Sequence, residues 1–192
     1  MPVRETMLAF LDTETTGLVP GVDEVVEVAT ILTDFKLREI ARFEAKIRTR
    51  KYPPPEVAAI NGWNLEAWKD AKPFTDWMAW LLYKIPYGEV AVIVGANPTF
   101  DRQIIDGFYY KPIRKFFPLS YRCVDVCALG NVLRIAGAIE APDTKLTILT
   151  KAMGIPHVAH RAMGDVEAAM EIFRRVVGMI GDSVASKVGG GS

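Results

Sequence analysis

The stretch from Leu8 to Gly17 constrains the fold of this chain more than any other. Its apolar residues run into two acids and a glycine turn, a pattern typical of a central strand that is covered on both faces. Because side chains alternate along a strand, Asp12 and Glu14 project to one side and continue the face of Leu8 and Phe10. Two such neighbouring carboxylates repel each other and lose hydration, which favours a divalent cation beside them. The alternative is a strand end that frays into solvent with both acids hydrated.

Length and composition predict one folded domain. The chain has 192 residues, of which 50% are hydrophobic, so disorder is excluded as a description of the whole. We expect the domain to span residues 1–181. Residues 182–192, which end in glycine and serine, predict a flexible tail whose last residues resemble a cloning remnant.

The charge balance narrows the class of partner. Lysine and arginine together number 23, aspartate and glutamate also number 23, and the formal net charge is therefore zero. A protein that coats a polyanion through bulk positive charge is excluded. Any phosphate partner has to be held locally, by a few cations or by a metal, which favours an enzyme that acts on a strand end.

Three features of the sequence predict a reduced cytoplasmic protein that has no membrane segment. Cys123 and Cys127 have neither metal-ligand nor redox spacing. The amino terminus has no apolar core of the secretory kind, and the apolar runs of the chain are too short and too interrupted to span a bilayer.

Hydrophobic periodicity predicts a mixed sheet with helices packed on its faces. Strand-like runs at 24–33 and 37–47 follow the first strand closely, and three strands with short connections favour an antiparallel meander. Further along, the apolar spacing becomes helical. The remaining expected elements are a short helix at 56–60, a helix at 73–85, a buried strand at 90–95, a helix opened by Asn97 as N-cap and by Pro98, a strand at 122–124 with a helix to about 137, and helices at 144–153 and 162–179.

Two further acids stand where apolar residues are expected. Asp101 precedes Ile104 and Ile105 on one face of a predicted helix, and Asp165 stands in the same relation to Ala169 and the apolar residues after it. A carboxylate on a core-facing stripe is costly unless it is paired or bound to metal. Either acid alone is also compatible with a helix cap or a salt bridge. The four acids together favour one acidic pocket at the end of the central strand.

The chain has two histidines, His157 and His160. Five positions separate His160 from Asp165, which rotates the two off a common helical face. We therefore expect His160 on the loop or first turn before the last helix, leaning over the acidic pocket. A pair of zinc-binding imidazoles is the alternative. Four carboxylates without a cysteine cluster favour Mg²⁺ or Mn²⁺, which leaves His160 free to act as a base and His157 as an ordinary surface or loop residue.

Three short motifs carry a family resemblance. Asp-Thr-Glu-Thr-Thr-Gly, Asn-Pro-Thr-Phe-Asp and His-Arg-Ala-Met-Gly-Asp, which begin at Asp12, Asn97 and His160, resemble the three exonuclease motifs of the DEDDh family of 3′→5′ exonucleases. That family includes the proofreading subunit of bacterial DNA polymerase III, ribonuclease T and oligoribonuclease. The fold that the resemblance implies is α/β, a ribonuclease H-like mixed five-stranded sheet with three antiparallel strands, then parallel strands, flanked by helices.

The resemblance also implies roles for the five residues already discussed. Asp12, Glu14, Asp101 and Asp165 would bind two divalent cations, Mg²⁺ or Mn²⁺, and His160 would be the general base on the attacking water. A histidine with a pKa near ~6.5 can accept that proton at neutral pH.

Contacts with the terminal nucleotide are implied less specifically. Similar enzymes hold it with backbone near the first motif and with apolar side chains around the base, and aromatic stacking there tolerates any base. Where relatives often have His-Gly-Ile, this chain has Asn61-Gly62-Trp63, and core packing is an equal alternative for Phe100. The candidate positions are Thr13, Thr15, Thr16, Leu18, Trp63 and Phe100. Asp125 lies at a commonly acidic position, for which a helix N-cap is a sufficient explanation.

The sequence thus predicts a metal-dependent 3′→5′ exonuclease that releases nucleoside 5′-monophosphates from single-stranded DNA or RNA. The alternatives are another metal-dependent phosphohydrolase and a nuclease-like nucleic-acid-binding module. No polymerase domain fits in this length, so a role in DNA proofreading would require a separate polymerase chain as partner.

Overall fold

A long central strand, β1 (Arg4–Thr15), organises the computed structural model, which describes residues 4–110 and 118–189. Within those residues the sheet has five strands in the order β3-β2-β1-β4-β5. The other strands are β2 (Val25–Asp34), β3 (Glu39–Lys46), β4 (Glu89–Gly95) and β5 (Leu119–Asp125). The pairs β1–β2 and β2–β3 are antiparallel, whereas β1–β4 and β4–β5 are parallel. The predicted mixed sheet is confirmed.

Helices cover both faces of this sheet. Two of them lie before β4, and the later ones follow β4 and β5. They are α1 (Pro55–Asn61), α2 (Phe74–Lys84), α3 (Pro98–Ile105) with a π-helical turn at Asp106–Tyr110, α4 (Val126–Ile135), α5 (Leu146–Ala152) and α6 (Ala162–Gly189).

The last helix is longer than the sequence pattern predicts. α6 continues to Gly189, so most of the stretch expected to be a flexible tail is helical, and residues 190–192 lie outside the described part of the chain. Gly178 and Gly181 lie inside the helix, although glycine is a weak helix former. Neither adopts the positive φ of a glycine that terminates one, so the helix passes through both.

Alternation along β1 divides the core into two layers. Ala9 and Leu11 face α2 and α3, where Trp77 and Ile104 are among the fully buried side chains. Leu8 and Phe10 face the other layer, which is formed by α4, α5 and α6. The ring of Phe10 meets that of Phe173 on α6 edge to face at a centroid distance of 5.7 Å. The acids that follow Phe10 on β1 therefore emerge on the α6 side.

The loops after β4 and β5 are tied together at the carboxyl edge of the sheet. The predicted N-cap of α4 is confirmed, since Asp125 Oδ1 accepts a hydrogen bond from the Cys127 N–H at 2.8 Å. Asn97 occupies the N-cap position of α3, but its side chain makes no cap hydrogen bond. Its backbone is left-handed (φ 56°), a conformation that asparagine tolerates, and its N–H donates to Asp125 Oδ1 at 3.1 Å.

Both cysteines, Cys123 and Cys127, are free thiols. Within residues 4–110 and 118–189, no helix combines the length and the apolar character that crossing a membrane requires.

Candidate active site

Three carboxylates form a compact group at the carboxyl end of the central strand. Asp12 and Glu14 come from β1 and Asp165 from the first turn of α6, and one oxygen of each lies within 4.8 Å of the others. The two β1 acids share a face because they are two positions apart on a strand. Asp165 reaches them because the apolar stripe of α6 packs on that same face. The structure thus brings together acids that are about 150 positions apart in sequence.

The group carries more negative charge than it can stabilise by itself. Burial is the main cause that raises the pKa of Asp12 well above its usual range, and the neighbouring charges of Asp101 and Asp165 add to it. Burial also raises the pKa of Glu14 to about 7, followed by the effect of the Asp165 charge. The donors are all carboxylate oxygens, the ligand type that hard divalent cations prefer. The residues present therefore fit Mg²⁺ or Mn²⁺.

Asp101 approaches the group from the opposite face of the sheet. It lies in the first turn of α3 and is buried, and its Oδ1 accepts hydrogen bonds from the Thr13 N–H at 2.8 Å and the Thr13 hydroxyl at 2.6 Å. Burial raises the pKa of Asp101 to about 7 although both of these hydrogen bonds lower it. Asp101 lies outside the compact trio, next to it and hydrogen-bonded to the strand that carries Asp12.

A cavity of about 330 Å³ is lined by two of these acids, Asp12 and Asp165. His160 stands on its wall, on the loop that precedes α6, as the five-residue offset predicts. The side chain of His160 is exposed, and its backbone is left-handed (φ 60°). The residues that form the wall are Asp12, Ala96, Lys145, Leu146, Thr147, His157, Ala159, His160 and Asp165.

The expectation that His157 is an ordinary surface or loop residue is right about its place on the loop and wrong about its exposure. Only 6% of its side chain is exposed, and its Nε2 is hydrogen-bonded to Asp165 Oδ1. Its Nδ1 lies 3.3 Å from the hydroxyl of Thr150 on α5. The loop reaches this position by crossing the first turn of α6, where a Cβ at Gly164 would collide with the carbonyl oxygen of Val158. Sequence spacing could not show this, because the loop is not periodic.

Glu27 is a further acid of the site that sequence reasoning missed. It is the cross-strand partner of Glu14 in the β1–β2 pair, and 1% of it is exposed. Its charge contributes to the raised pKa values of Asp12 and Glu14. Its Oε1 accepts a hydrogen bond from Arg161 Nη2 at 2.9 Å, whereas Oε2 is buried and has no hydrogen-bond partner among the described residues. The only sequence signal was an acid between apolar residues of β2.

The threonines of the first motif use their hydroxyl groups within the protein. Thr13 donates to Asp101, Thr15 donates to the carbonyl of Gly17 at 2.6 Å, and Thr16 donates to Asp23 Oδ1 at 2.9 Å. All three are buried. The Asp23 carboxyl also explains the glycine of the motif, since a Cβ at Gly17 would lie 2.6 Å from its Oδ2. These contacts shape the turn that follows β1.

The three apolar candidates differ in their accessibility. Leu18 is 77% exposed at the turn after β1. Trp63 is half-buried and lies 4.8 Å, centroid to centroid, from the exposed ring of Tyr52, which sequence reasoning did not select. Asn61 connects this region to the site, because its side-chain amide donates to the carbonyl of Thr15 at 3.2 Å. Phe100 packs against the core on the α2 and α3 side.

The five-stranded mixed sheet flanked by helices is the ribonuclease H-like fold that exonuclease I also has, and its acidic cluster is a candidate divalent-metal site. Residues 9–173 match the family model described as Exonuclease, of the ribonuclease T type. The chain therefore belongs to this exonuclease family, and it is a 3′→5′ exonuclease, a hydrolase of phosphodiester bonds.

Individual relatives support this assignment. DNA polymerase III subunit epsilon of Treponema pallidum is 29% identical over 177 residues, which cover 86% of this chain and 74% of that protein. An oligoribonuclease of Sodalis glossinidius is 28% identical over 148 residues, covering 70% and 78% respectively. The structure of E. coli exonuclease I in complex with a dT13 oligonucleotide has the same fold, with a TM-score of 0.72 at 22% identity. The match covers 90% of this chain but only 41% of that one.

Proposed function

We propose that this exonuclease removes nucleoside 5′-monophosphates from single-stranded 3′ ends by a two-metal mechanism. Asp12, Glu14, Asp101 and Asp165 would hold the two cations, Mg²⁺ or Mn²⁺. The observation that carries the proposal is the trio of carboxylate oxygens within 4.8 Å of one another. Two of the three residues, Asp12 and Asp165, line a cavity that His160 also lines. The raised pKa values of Asp12 and Glu14 support it, because a bound cation would stabilise their ionised forms.

The protein side chains have separate roles in the proposed reaction. When bound, the cations would polarise water and stabilise negative charge on the phosphoryl oxygens. His160 accepts the proton of the attacking water on a ring nitrogen, while the oxygen of that water forms the new bond to phosphorus. The bond from phosphorus to the 3′ oxygen of the preceding nucleotide breaks, which shortens the strand by one residue. The exposed position of His160 on the cavity wall is compatible with this role.

In this proposal His157 orients the metal-binding carboxylate of Asp165. A carboxylate that binds metal is commonly held by a hydrogen bond from a neighbouring group, and loss of that group weakens binding. His157 makes such a bond to Asp165, and its other ring nitrogen lies near Thr150. The two histidines therefore have different functions in this proposal: His160 accepts a proton, and His157 holds Asp165 in place.

The surface beside the first motif would bind the terminal base. Leu18 is largely exposed, and the neighbouring rings of Trp63 and Tyr52 offer an apolar surface on which an unpaired base could stack. The exonuclease I complex contains a single-stranded oligonucleotide, and the names of the other relatives point to a DNA polymerase and to short RNA. A separate polymerase chain as partner and a cytoplasmic location remain predictions.

A gel assay with 5′-labelled oligonucleotides and Mg²⁺ tests the proposal. We expect a descending ladder from single strands, no shortening with Asp165→Asn, and normal shortening with Glu167→Gln, an exposed position two residues further along the same helix. Intact strands with retarded mobility would favour the binding module, and intact strands without retardation would favour a different phosphohydrolase. Parallel digestion of matched DNA and RNA strands of several lengths then identifies the substrate.

A further inference from the structure

An ion pair connects the sheet to the loop that carries His160. Arg161 Nη2 donates to Glu27 Oε1 at 2.9 Å, across 134 positions of sequence. Glu27 is fixed, because it lies inside β2, is 1% exposed and pairs with Glu14 across the strands. Arg161 is 45% exposed at its side chain, so the pair joins a buried carboxylate to a partly hydrated guanidinium.

Arg161 lies in the sequence between two proposed functional residues, His160 and Asp165. It directly follows His160, and its carbonyl oxygen accepts the N–H of Asp165 at 3.0 Å, the first backbone hydrogen bond of α6. The backbone of His160 is left-handed (φ 60°), which is unfavourable for a residue with a side chain and persists only where surrounding contacts impose it. The contact of Arg161 with Glu27 can hold His160 in this conformation.

Arg161 also affects the acids electrostatically. Its charge lowers the pKa of Glu14, against the effects of burial and of the other carboxylates. The hydrogen bond to Glu27 in turn favours the charged form of Arg161 and raises its pKa. The guanidinium is therefore held where it offsets part of the negative charge of the site.

We propose that Arg161, held by Glu27, is a positioning residue that fixes His160 and the first turn of α6 relative to the acids of β1. The proposal rests on the proposed function of His160 as the base. It predicts that the pair acts on the catalytic step rather than on substrate affinity, because neither residue lines the cavity. It also predicts that Glu27 and Arg161 act as one unit.

An ion pair between α6 and the sheet provides a control. Arg42 on β3 contacts Glu167 on α6 at 3.0 Å, and these side chains are 48% and 52% exposed. This pair lies further along the helix and is not adjacent to His160. If the two ion pairs matter only for stability, Arg161→Gln and Glu167→Gln should change turnover to the same extent.

The experiment measures kcat and KM on a single-stranded oligonucleotide for Arg161→Gln, Glu27→Gln, the double variant and Glu167→Gln. We expect either single change to lower kcat roughly 10-fold to 100-fold, the scale of a misplaced catalytic group, with KM unchanged. The double variant should be no worse than the poorer single variant, since the two residues form one unit. Arg161→Lys, which retains the positive charge and can still donate to Glu27, should have a higher kcat than Arg161→Gln, and Glu167→Gln should retain wild-type kcat.

A second set of variants separates positioning of His160 from a general loss of structure. In a His160→Ala background, Arg161→Gln should lower kcat by less than about twofold further, because the group to be positioned is absent. Circular dichroism melts test whether each variant is folded at the assay temperature, and the double variant avoids a buried carboxylate without its partner.

Three results would overturn the inference. The first is wild-type kcat in Arg161→Gln. The second is a raised KM with unchanged kcat, which would indicate that Arg161 contacts the substrate directly. The third is full additivity of Arg161→Gln with His160→Ala. A wrong assignment of His160 as the base gives a different result from a wrong assignment of Arg161. In that case His160→Ala by itself would retain activity, independently of the effect of Arg161→Gln.

Discussion

Nε2 of His157 is hydrogen-bonded to Oδ1 of Asp165, while His160, three positions later, lies exposed on the wall of the same cavity. The two imidazoles of the chain thus line one cavity but differ in burial, since the His157 side chain is 6% exposed and His160 is exposed. A buried ring bonded to a carboxylate is suited to hold that carboxylate in place. An exposed ring beside a cavity is suited to exchange a proton with what the cavity contains.

Replacement of His160 should remove the base and leave the metal site intact. We expect His160→Ala to lower kcat by roughly 10²–10⁴, the usual scale of general acid–base catalysis. His160→Gln should be no better, because an amide cannot take up the proton. The measurement is steady-state kinetics beside a calorimetric titration with Mn²⁺. If the variant binds one metal equivalent fewer than the wild type, His160 is a ligand and not the base.

Replacement of His157 should act through the metal instead. His157→Ala removes the hydrogen bond to Asp165, and loss of such a partner costs about 10-fold to 100-fold in metal affinity. Activity should recover at high Mn²⁺ concentration, which distinguishes this variant from His160→Ala. The same calorimetric titration gives the dissociation constant. Wild-type Mn²⁺ affinity in His157→Ala would contradict the orienting role.

Removal of one acid should abolish turnover without loss of the fold. We expect Asp12→Ala or Asp165→Asn to retain less than about a tenth of wild-type activity, since metal sites supply several kcal/mol of transition-state stabilisation. In the metal-free protein these changes should leave the melting temperature equal or raise it, because they relieve repulsion among the carboxylates. Differential scanning calorimetry in a chelator tests this. A marked drop in melting temperature would show that the acid is needed for folding.

The metal-free protein should lose stability as pH rises toward neutrality. Glu14 and Asp101 have pKa values of about 7 in the folded state, above the ordinary values near 4 of an unfolded chain. Between about pH 4.5 and 7 the folded state therefore binds more protons than the unfolded state, and the free energy of unfolding falls with rising pH. Glu14→Gln should flatten this dependence in thermal melts.

Added Mn²⁺ should reverse that trend. The cation binds the ionised carboxylates, so it should raise the melting temperature more at pH 8 than at pH 5. A metal effect that is equal at both pH values would argue against binding by Glu14 and Asp101.

The apolar surface formed by Leu18, Trp63 and Tyr52 should determine the affinity for a single strand. Trp63→Ala or Tyr52→Ala should mainly raise KM, by an amount that corresponds to ~1–3 kcal/mol for each lost stacking contact. Leu18→Ala, at the exposed turn, should act in the same direction. Tyr87→Ala is a control, since this ring is 99% exposed at the turn before β4. Faster digestion of blunt duplex than of single strands would mean that the site does not need an unpaired terminus.

Local periodicity was sufficient to predict much of the fold and part of the site. Alternation on β1 placed Asp12 and Glu14 on the face of Phe10, and helical spacing placed Asp165 at the start of a buried stripe. The offset between His160 and Asp165 placed that histidine on a loop. These predictions succeeded because each depends on the geometry of one strand or one helix, which short sequence spacings reflect.

Tertiary structure alone decided the contacts that cross between elements. Glu27 lies opposite Glu14 because of the register between two strands, and Arg161 meets Glu27 because α6 packs against β2. His157 is buried because a non-periodic loop crosses the first turn of α6, a path that packing determines and residue spacing does not. The sequence alone therefore determined which acids share a face of each element, and the packing of the elements determined which groups surround them.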